Sequence, residues 1–516
     1  MRWLVLALLV ACNVPDRGPR WRAGTSTTPR DGGTLRFSTK DQVRSLDPAI
    51  AYDDLSSWVL HPMYDTLVDY APDSMELVPR LAERWEISPD GRGYHFWLRP
   101  GIAYADGRPI VAADFRTSLQ RTLAMPDSPF TQYVAPIARI DVIGDRELDI
   151  QLKAPDATFL YVLAMTFATP MRADHLSAVR TDPLASGPYM LERWDEGERI
   201  VLRKNPHYFD PSRAHLDRIE MLENVPRDTQ FLMFEKGELD TAERLAAPDY
   251  LWVIEQPAWK PFVYARSQMN SYGVRMNVRE KPFDDRRVRQ ALNYALDKQH
   301  TIKLLNGGAV ASHGLLPPGM LGRDDALQPY PHDPAKARAL LADAGYGSGF
   351  DVDYVTINDE EAEKLAASLQ ADLAEAGVRV HISIMSLAAY MTAIGEPSGP
   401  PFSLGSWLGD FPDPSNFLDL NFHSRMIANA SSNNDCFYKN PELDALLDAA
   451  HAETDTAKRA AMYQRAERIL YDDAPWVWNY HRELTEVTQP YVRGYAPHPV
   501  WGRDYTSVWL DEKVPR

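Results

Sequence analysis

The sequence predicts an α/β protein of several domains, and three observations lead there. The chain has 516 residues, and at about 150 residues per domain that length corresponds to roughly three domains. It is 45% hydrophobic and 10% aromatic, which is enough to bury a large core and unlike a disordered chain. Helical and period-two patterns also follow one another. Residues 362–376 read as a helix, and Val378-Arg379-Val380-His381-Ile382-Ser383-Ile384 alternates as a strand, which together make an α/β unit.

The bulk composition narrows the function. A formal net charge of −17 argues against a nucleic-acid partner, which needs a basic face, and favours solubility. Forty prolines against 28 glycines imply many stiffened loops. Cys12 and Cys436 are the two cysteines of the chain, too few for a disulfide framework or for a zinc site built on a CxxC pair.

Taken in order, the chain opens with Arg2 and an apolar run from Trp3 to Ala11. That run is far shorter than the roughly 20 residues a membrane-spanning helix needs. It reads as the short apolar core of a targeting segment, or as a chance apolar N-terminus. Asn13 to Asp31, rich in Pro, Arg, Ser and Thr, reads as a flexible tether. Gly33-Thr34-Leu35-Arg36-Phe37-Ser38 alternates as a first strand, and Asp54 to Leu67 is helix-like. Leu81 to Trp85 and Tyr94 to Leu98 are strands around a turn cluster at Ser88–Gly93, and a helix starts at Ala112. Ser271 to Asn277 alternates as a strand. Asp284 or Asp285 then caps a helix whose apolar face is Val288, Ala291, Leu292 and Ala295. The arginines of that helix, 286, 287 and 289, are either an anion site or a salt-bridged face. Asp333 to Leu341 is a helix closed at Gly345, and two amphipathic helices cover 440–447 and 459–473.

The stretch SLGSWLGDFPDPSNFL, Ser403 to Leu418, stands apart. Ser403 to Trp407 forms a short strand, and Pro412 and Pro414 then forbid both helix and central strand. Asp410 precedes that rigid turn beside Trp407 and Phe411. A carboxylate there is costly to bury unless a cation meets it, so it is either an anchor for a ligand ammonium or a turn residue capping its own backbone. No enzyme signature accompanies it: HExxH, GxSxG, a Walker lysine loop and GxGxxG are all missing from the sequence. The histidines, such as His175, His207 and His215, are scattered, and the pairs Asp284-Asp285 and Asp472-Asp473 sit at helix ends where capping explains them. The expectation is a binding protein without cofactor or metal.

Trp407-Leu408-Gly409-Asp410-Phe411-Pro412-Asp413-Pro414 resembles the W-x-x-D-Y/F-x-D-P segment of the family 5 extracellular solute-binding proteins, the dipeptide and oligopeptide receptors of ABC importers. The block from Leu81 to Gly107, with Trp85, Asp90-Gly91, Tyr94-His95-Phe96-Trp97-Leu98-Arg99 and Asp106-Gly107, is similar to the family's signature. So are Gly187-Pro188-Tyr189, Asn205-Pro206-His207-Tyr208-Phe209 and Pro282-Phe283-Asp284-Asp285-Arg286-Arg287-Val288-Arg289. Leu9-Val10-Ala11-Cys12 resembles a bacterial lipobox.

The resemblance implies a two-lobed periplasmic binding protein of type II, with three domains and a ligand cleft between the lobes. Lobe I would comprise 33–52, 184–270 and 484–516, with 53–183 inserted as a subdomain, and lobe II would span 271–483. Residues 1–12 would be a lipoprotein signal ending at the lipidated Cys12, with 13–32 as tether. Crossings near 268–277 and 480–487 would act as the hinge. In the cleft, Asp410 would pair with a peptide α-ammonium between the walls of Trp407 and Phe411. The strand carrying Ser403 and Gly405 would offer backbone groups to the cargo, and the loop with Ala51 and Tyr52 would edge it. The implied partners are a peptide, the permease subunits and, through Cys12, the membrane. The protein would be a monomer in the periplasm, with Cys436 a free thiol. Other implied cargoes are an oligosaccharide, nickel, haem or an opine; a lipid-anchored sensor or chaperone is a further alternative.

Overall fold

The computed structural model describes residues 18–245 and 247–515, and Cys12 with its apolar run lies outside them. Three sheets carry the body. The first orders Thr34–Ser38, Arg218–Leu222, Arg199–Lys204 and Tyr189–Asp195, with its first pair parallel and the others antiparallel. The second orders Ala82–Ile87, Gly93–Leu98, Glu147–Leu152 and Ile137–Ile143, all antiparallel. Each has its own apolar core, around Phe37 and Leu202 in one and around Phe96, Phe115 and Phe159 in the other.

The third sheet has eight strands and joins the two lobes. Its spine is Trp476–Thr488, a strand of 13 residues, about 40 Å long at 3.3 Å per residue. Residues 476–480 pair with Asn270–Met276, whereas 483–488 pair with Val263–Ser267 and Thr241–Glu243. The chain passes from one set of partners to the other at 480–483, opposite the break between Ser267 and Asn270. Beyond Asn270–Met276 the sheet continues through Phe402–Leu408, Phe350–Ile357 and Val378–Met385. The last two are parallel, and the helix Glu360–Glu375 connects them as the α/β pattern predicts. That helix starts two residues earlier than its apolar periodicity suggests, because Asp359 accepts from the backbone N–H groups of Glu361 and Ala362 at 3.1 and 3.0 Å.

Local chemistry explains the other boundaries. Asp285 caps Arg286–Ala295 by accepting from Arg287 N at 2.8 Å. The arginines of that helix form a paired face: Arg286 and Arg287 meet Asp473 and Asp285, and the buried Arg289 donates to the carbonyls of Phe283 and Asp473. The helix-like run from Asp54 stops at Met63, short of Leu67. There Asp65 N turns to the Ser186 hydroxyl and the Leu67 carbonyl accepts from Arg80 N, so the segment enters tertiary structure. The expected tether is also partly docked, since Trp21–Ala23 pairs antiparallel with Lys513–Pro515. Cys436 is buried and free among the described residues. Burial, reinforced by Asp435, pushes its thiol up to about 12, which keeps it in the unreactive protonated form.

Lys298, at the start of Lys298–Leu304, is buried with its ammonium donating to the carbonyls of Asn293 and Tyr330 at 3.4 and 3.1 Å. Desolvation lowers its pKa from 10.5 to about 7, with Asp297 opposing. Between those two values the unfolded chain holds a proton that the folded chain has lost, so stability rises with pH across that window. Below about pH 7 the desolvation penalty is fully present. Lys298→Met is therefore expected to stabilise the protein at about pH 6.5 by a few kcal/mol and to flatten its stability between about pH 7 and pH 10, as read from urea unfolding at several pH values.

Candidate functional site

The irregular turn after Phe402–Leu408 is set by four local devices. Gly409 N continues the ladder to the Met269 carbonyl at 2.7 Å. A Cβ at Gly409 would lie 2.5 Å from the Phe417 ring, so only glycine fits. Asp410 N donates to Asn416 Oδ1 at 2.9 Å. Asp413 then caps Pro414–Phe422 through Ser415 N at 2.9 Å, with Pro414 at the first helical position where its missing N–H costs nothing.

The two aspartates of this segment part ways. Asp413 is fully buried and held by both arms of Arg459, at 2.5 and 2.7 Å, from the helix Thr456–Asp473. Asp410 pairs with no lysine or arginine among the described residues and is held by neutral donors. The hydroxyl of Tyr52 donates to Oδ1. The hydroxyl of Tyr133 donates to Oδ2 at 2.5 Å, and Asn416 Nδ2 to the same oxygen at 3.3 Å. Desolvation and the Asp410 charge push both phenols above their ordinary range, so both remain donors.

These contacts cross the space between the lobes. Phe411 is buried in the apolar core of the second sheet, among Phe96, Phe115 and Phe159, stacked on Tyr161 and edge-on to Tyr133. Tyr52 comes from a loop fixed by Asp47. That residue's carbonyl accepts from the backbone N–H groups of Ile50 and Ala51, and its carboxylate is clamped by Arg121 at 2.5 and 2.8 Å. Tyr52 is 53% exposed, yet its hydroxyl is desolvated. Asp54 is likewise exposed with a carboxyl raised by desolvation.

Of the residues singled out in the sequence, the structure brings Asp410, Phe411 and Tyr52 together. Trp407 packs on the second-lobe core near Phe417, and its buried indole N–H has no protein acceptor among the described residues. Ser403 is 2% exposed and paired on both sides, with Arg275 and with Val355. An incoming strand has no free edge there. The open edge begins at Leu404, where the carbonyls of Leu404 and Ser406 already accept from Tyr390 and Arg275. Gly405 lies under Trp476 and Arg275, which a Cβ would meet at 3.0–3.2 Å, so packing accounts for it. Ala51 is buried in the first-lobe core. Tyr133 and Asn416 were missed. Asn416 sits inside the segment already singled out, but nothing in the sequence links Tyr133 to a carboxylate 277 positions away. Among the described residues no group of His, Cys, Asp or Glu could hold a metal ion, and no helix is long and apolar enough to cross a membrane.

The chain is similar to known proteins over nearly its whole length. Heme-binding protein A of Haemophilus influenzae is 28% identical, over 98% of this chain and 97% of its own. The glutathione-binding protein GsiB of Pectobacterium atrosepticum is 30% identical over 96% of both chains. Among solved structures, the clavulanic acid biosynthesis oligopeptide binding protein 2 superposes with a TM-score of 0.86 at 27% identity, covering 96% of this chain and 99% of that one. The periplasmic binding protein DppA of Helicobacter pylori, solved with the peptide STSA, gives 0.77 at 26% identity, over 94% and 99%. These proteins are named for binding, and the two solved structures share the fold of this chain. The model of the bacterial extracellular solute-binding proteins, family 5 Middle, matches residues 76–429, and this chain belongs to that family.

Proposed function

We propose that this protein binds peptides between its lobes and delivers them to the permease of an ABC importer, anchored in the periplasm through a lipid on Cys12. The observation that carries the reading is Asp410, a carboxylate held by the hydroxyls of Tyr52 and Tyr133 and by the Asn416 amide, with no lysine or arginine partner among the described residues. An ammonium group entering there gains a full opposite charge in a desolvated setting, which the neutral donors do not supply. Closure takes place about residues 267–270 and 480–483, where the long strand changes partners. Cargo favours the closed form because only that form makes both sets of contacts. Phe411, between Tyr133 and Tyr161, walls the ammonium end. A cargo main chain adds along the edge that opens after Ser403.

Relatives named for haem, glutathione and peptides keep the cargo class an experimental matter. Native mass spectrometry of protein purified without added ligand is expected to show a ladder of peptide masses. A single non-peptide mass would overturn the peptide reading and leave the receptor reading standing. N-acetylation of a bound peptide is expected to lower its affinity by about 10²-fold, because it removes the cation that Asp410 awaits.

A further inference from the structure

The outward face of the first sheet carries a charge opposite to that of the chain. Phe37, Leu202 and Ile219 point into the core behind the sheet. The alternate positions set Arg36, Arg193, Arg199, Arg203 and Arg218 on the other face, where their side chains reach solvent. Three carboxylates share that face. Glu220 pairs with Arg36 and Arg199 at 3.0 and 3.2 Å, Glu192 with Arg218 at 2.8 Å, and Asp195 with Arg193 at 2.7 Å. The side chain of Arg203 has no ion pair or hydrogen bond among the described residues. The register also sets it directly opposite Arg218, and like charges so placed oppose strand pairing. A chain of formal net charge −17 thus keeps one face with more arginines than carboxylates.

The N-terminal segment docks against the edge of the same sheet. Trp21–Ala23 pairs with Lys513–Pro515, Trp21 packs on the core behind the sheet, and Arg493 donates to the Gly24 carbonyl at 3.1 Å. Lys513, opposite Ala23, lies 3.7 Å from the carboxylate of Asp240. Asp240 holds both backbone groups of Arg36 on the edge strand. Its second oxygen accepts from Arg36 N at 2.6 Å, and its own N–H donates to the Arg36 carbonyl at 2.7 Å. Trp21 therefore sits beside the arginine face. Between Cys12 and Trp21 the chain spans at most about 30 Å, whereas freed as far as Gly33 it would span about 70 Å.

We infer that the arginine face of the first sheet lies against the anionic phospholipid headgroups of the membrane that holds the anchor, and so sets how the receptor stands on the bilayer. The inference rests on the lipid on Cys12 proposed above. The anchor supplies proximity. The arginines supply direction, because they are attracted to an anionic surface that repels the rest of the acidic chain. Five arginines against three carboxylates favour this orientation by about 10–30-fold.

The test uses the full acylated chain reconstituted in vesicles of phosphatidylcholine, alone or with about one-third phosphatidylglycerol. A donor dye is attached at Glu196→Cys, in the hairpin between Tyr189–Asp195 and Arg199–Lys204, or at Glu375→Cys, at the end of Glu360–Glu375 in the second lobe. The acceptor is carried by the lipid, and the buried Cys436 does not compete for label. The short tether alone keeps position 196 nearer the bilayer on both vesicles, so the dependence on lipid charge is the readout. Phosphatidylglycerol is expected to raise energy transfer from position 196 by about twofold and to leave position 375 no higher. The gain is expected to vanish at about 1 M salt, where the screening length falls to about 3 Å. It is also expected to vanish in the double variant Arg193→Glu, Arg203→Glu, whose melting temperature stays near wild type because both side chains are exposed. Equal transfer on the two vesicles, or a gain that survives the double variant, overturns the inference and leaves the anchor standing. A chain that floats with neither vesicle overturns both.

Discussion

Asp410→Ala is expected to lower peptide affinity by about 10²–10³-fold while leaving the fold in place. Removing one partner of a desolvated ion pair costs about 3–5 kcal/mol, because the remaining ion stays buried without compensation. At 1.4 kcal/mol per decade, that cost corresponds to the stated loss. The fold survives because the turn is built by atoms the substitution does not touch. Asp410 N still donates to Asn416, Gly409 still fits under Phe417, and Asp413 still caps its helix. What changes locally is that Tyr52 and Tyr133 lose an acceptor. Tyr52 is exposed and water replaces the carboxylate; Tyr133 is deeper and its orphaned hydroxyl costs about 1–2 kcal/mol. Asp410→Asn separates charge from shape, since its amide oxygen still accepts from one phenol. Its affinity is expected to fall nearly as far, with a smaller change in melting temperature. Calorimetry and thermal unfolding on the same preparations decide the matter. Wild-type affinity in either variant would remove Asp410 from the site.

What the sequence made legible around Asp410, and what it did not, has physical reasons. The turn at Asp410 was legible because two prolines in three residues leave the backbone few choices. Tyr52 was legible only through the resemblance, since an exposed tyrosine in a loop has many ordinary explanations. Ser403 and Gly405 were placed at an open edge because they belong to the right strand. Which edge is free depends on where Phe350–Ile357 stops, and that contact is reduced to Val355 against Ser403. Tyr133 had no local signal, because its partner is joined to it only by the closing of two lobes. The α/β fold class was legible because it rests on local patterns: alternation in Thr34–Ser38, capping at Asp285 and the helix after Asp359.

The second large effect falls on stability and reaches the site indirectly. Arg459→Met is expected to destabilise the second lobe by about 3–5 kcal/mol, as breaking a buried pair does when one charge is left behind. Arg459 carries more than the pair. Its Nε donates to the Ala450 carbonyl at 2.9 Å, tying Thr456–Asp473 to Pro441–Ala452, and its Nη2 reaches the Tyr463 hydroxyl at 3.2 Å. In the variant the fully buried Asp413 carboxylate keeps only the Ser415 N–H and hydroxyl as donors. Asp413 is also the cap of Pro414–Phe422, the helix whose Asn416 orients Asp410. Strain at Asp413 is therefore expected to loosen the carboxylate three residues earlier and to weaken peptide binding even below the unfolding midpoint. The double variant Arg459→Met, Asp413→Leu distinguishes charge from packing. Replacing both partners with apolar groups removes the stranded ion, so the double variant should lose less stability than the sum of the two single changes. It still forfeits the helix cap, worth about 1 kcal/mol, so full recovery is not expected. A urea midpoint for Arg459→Met close to wild type, or strict additivity in the double variant, would show that the turn carrying Asp410 is seated by packing alone.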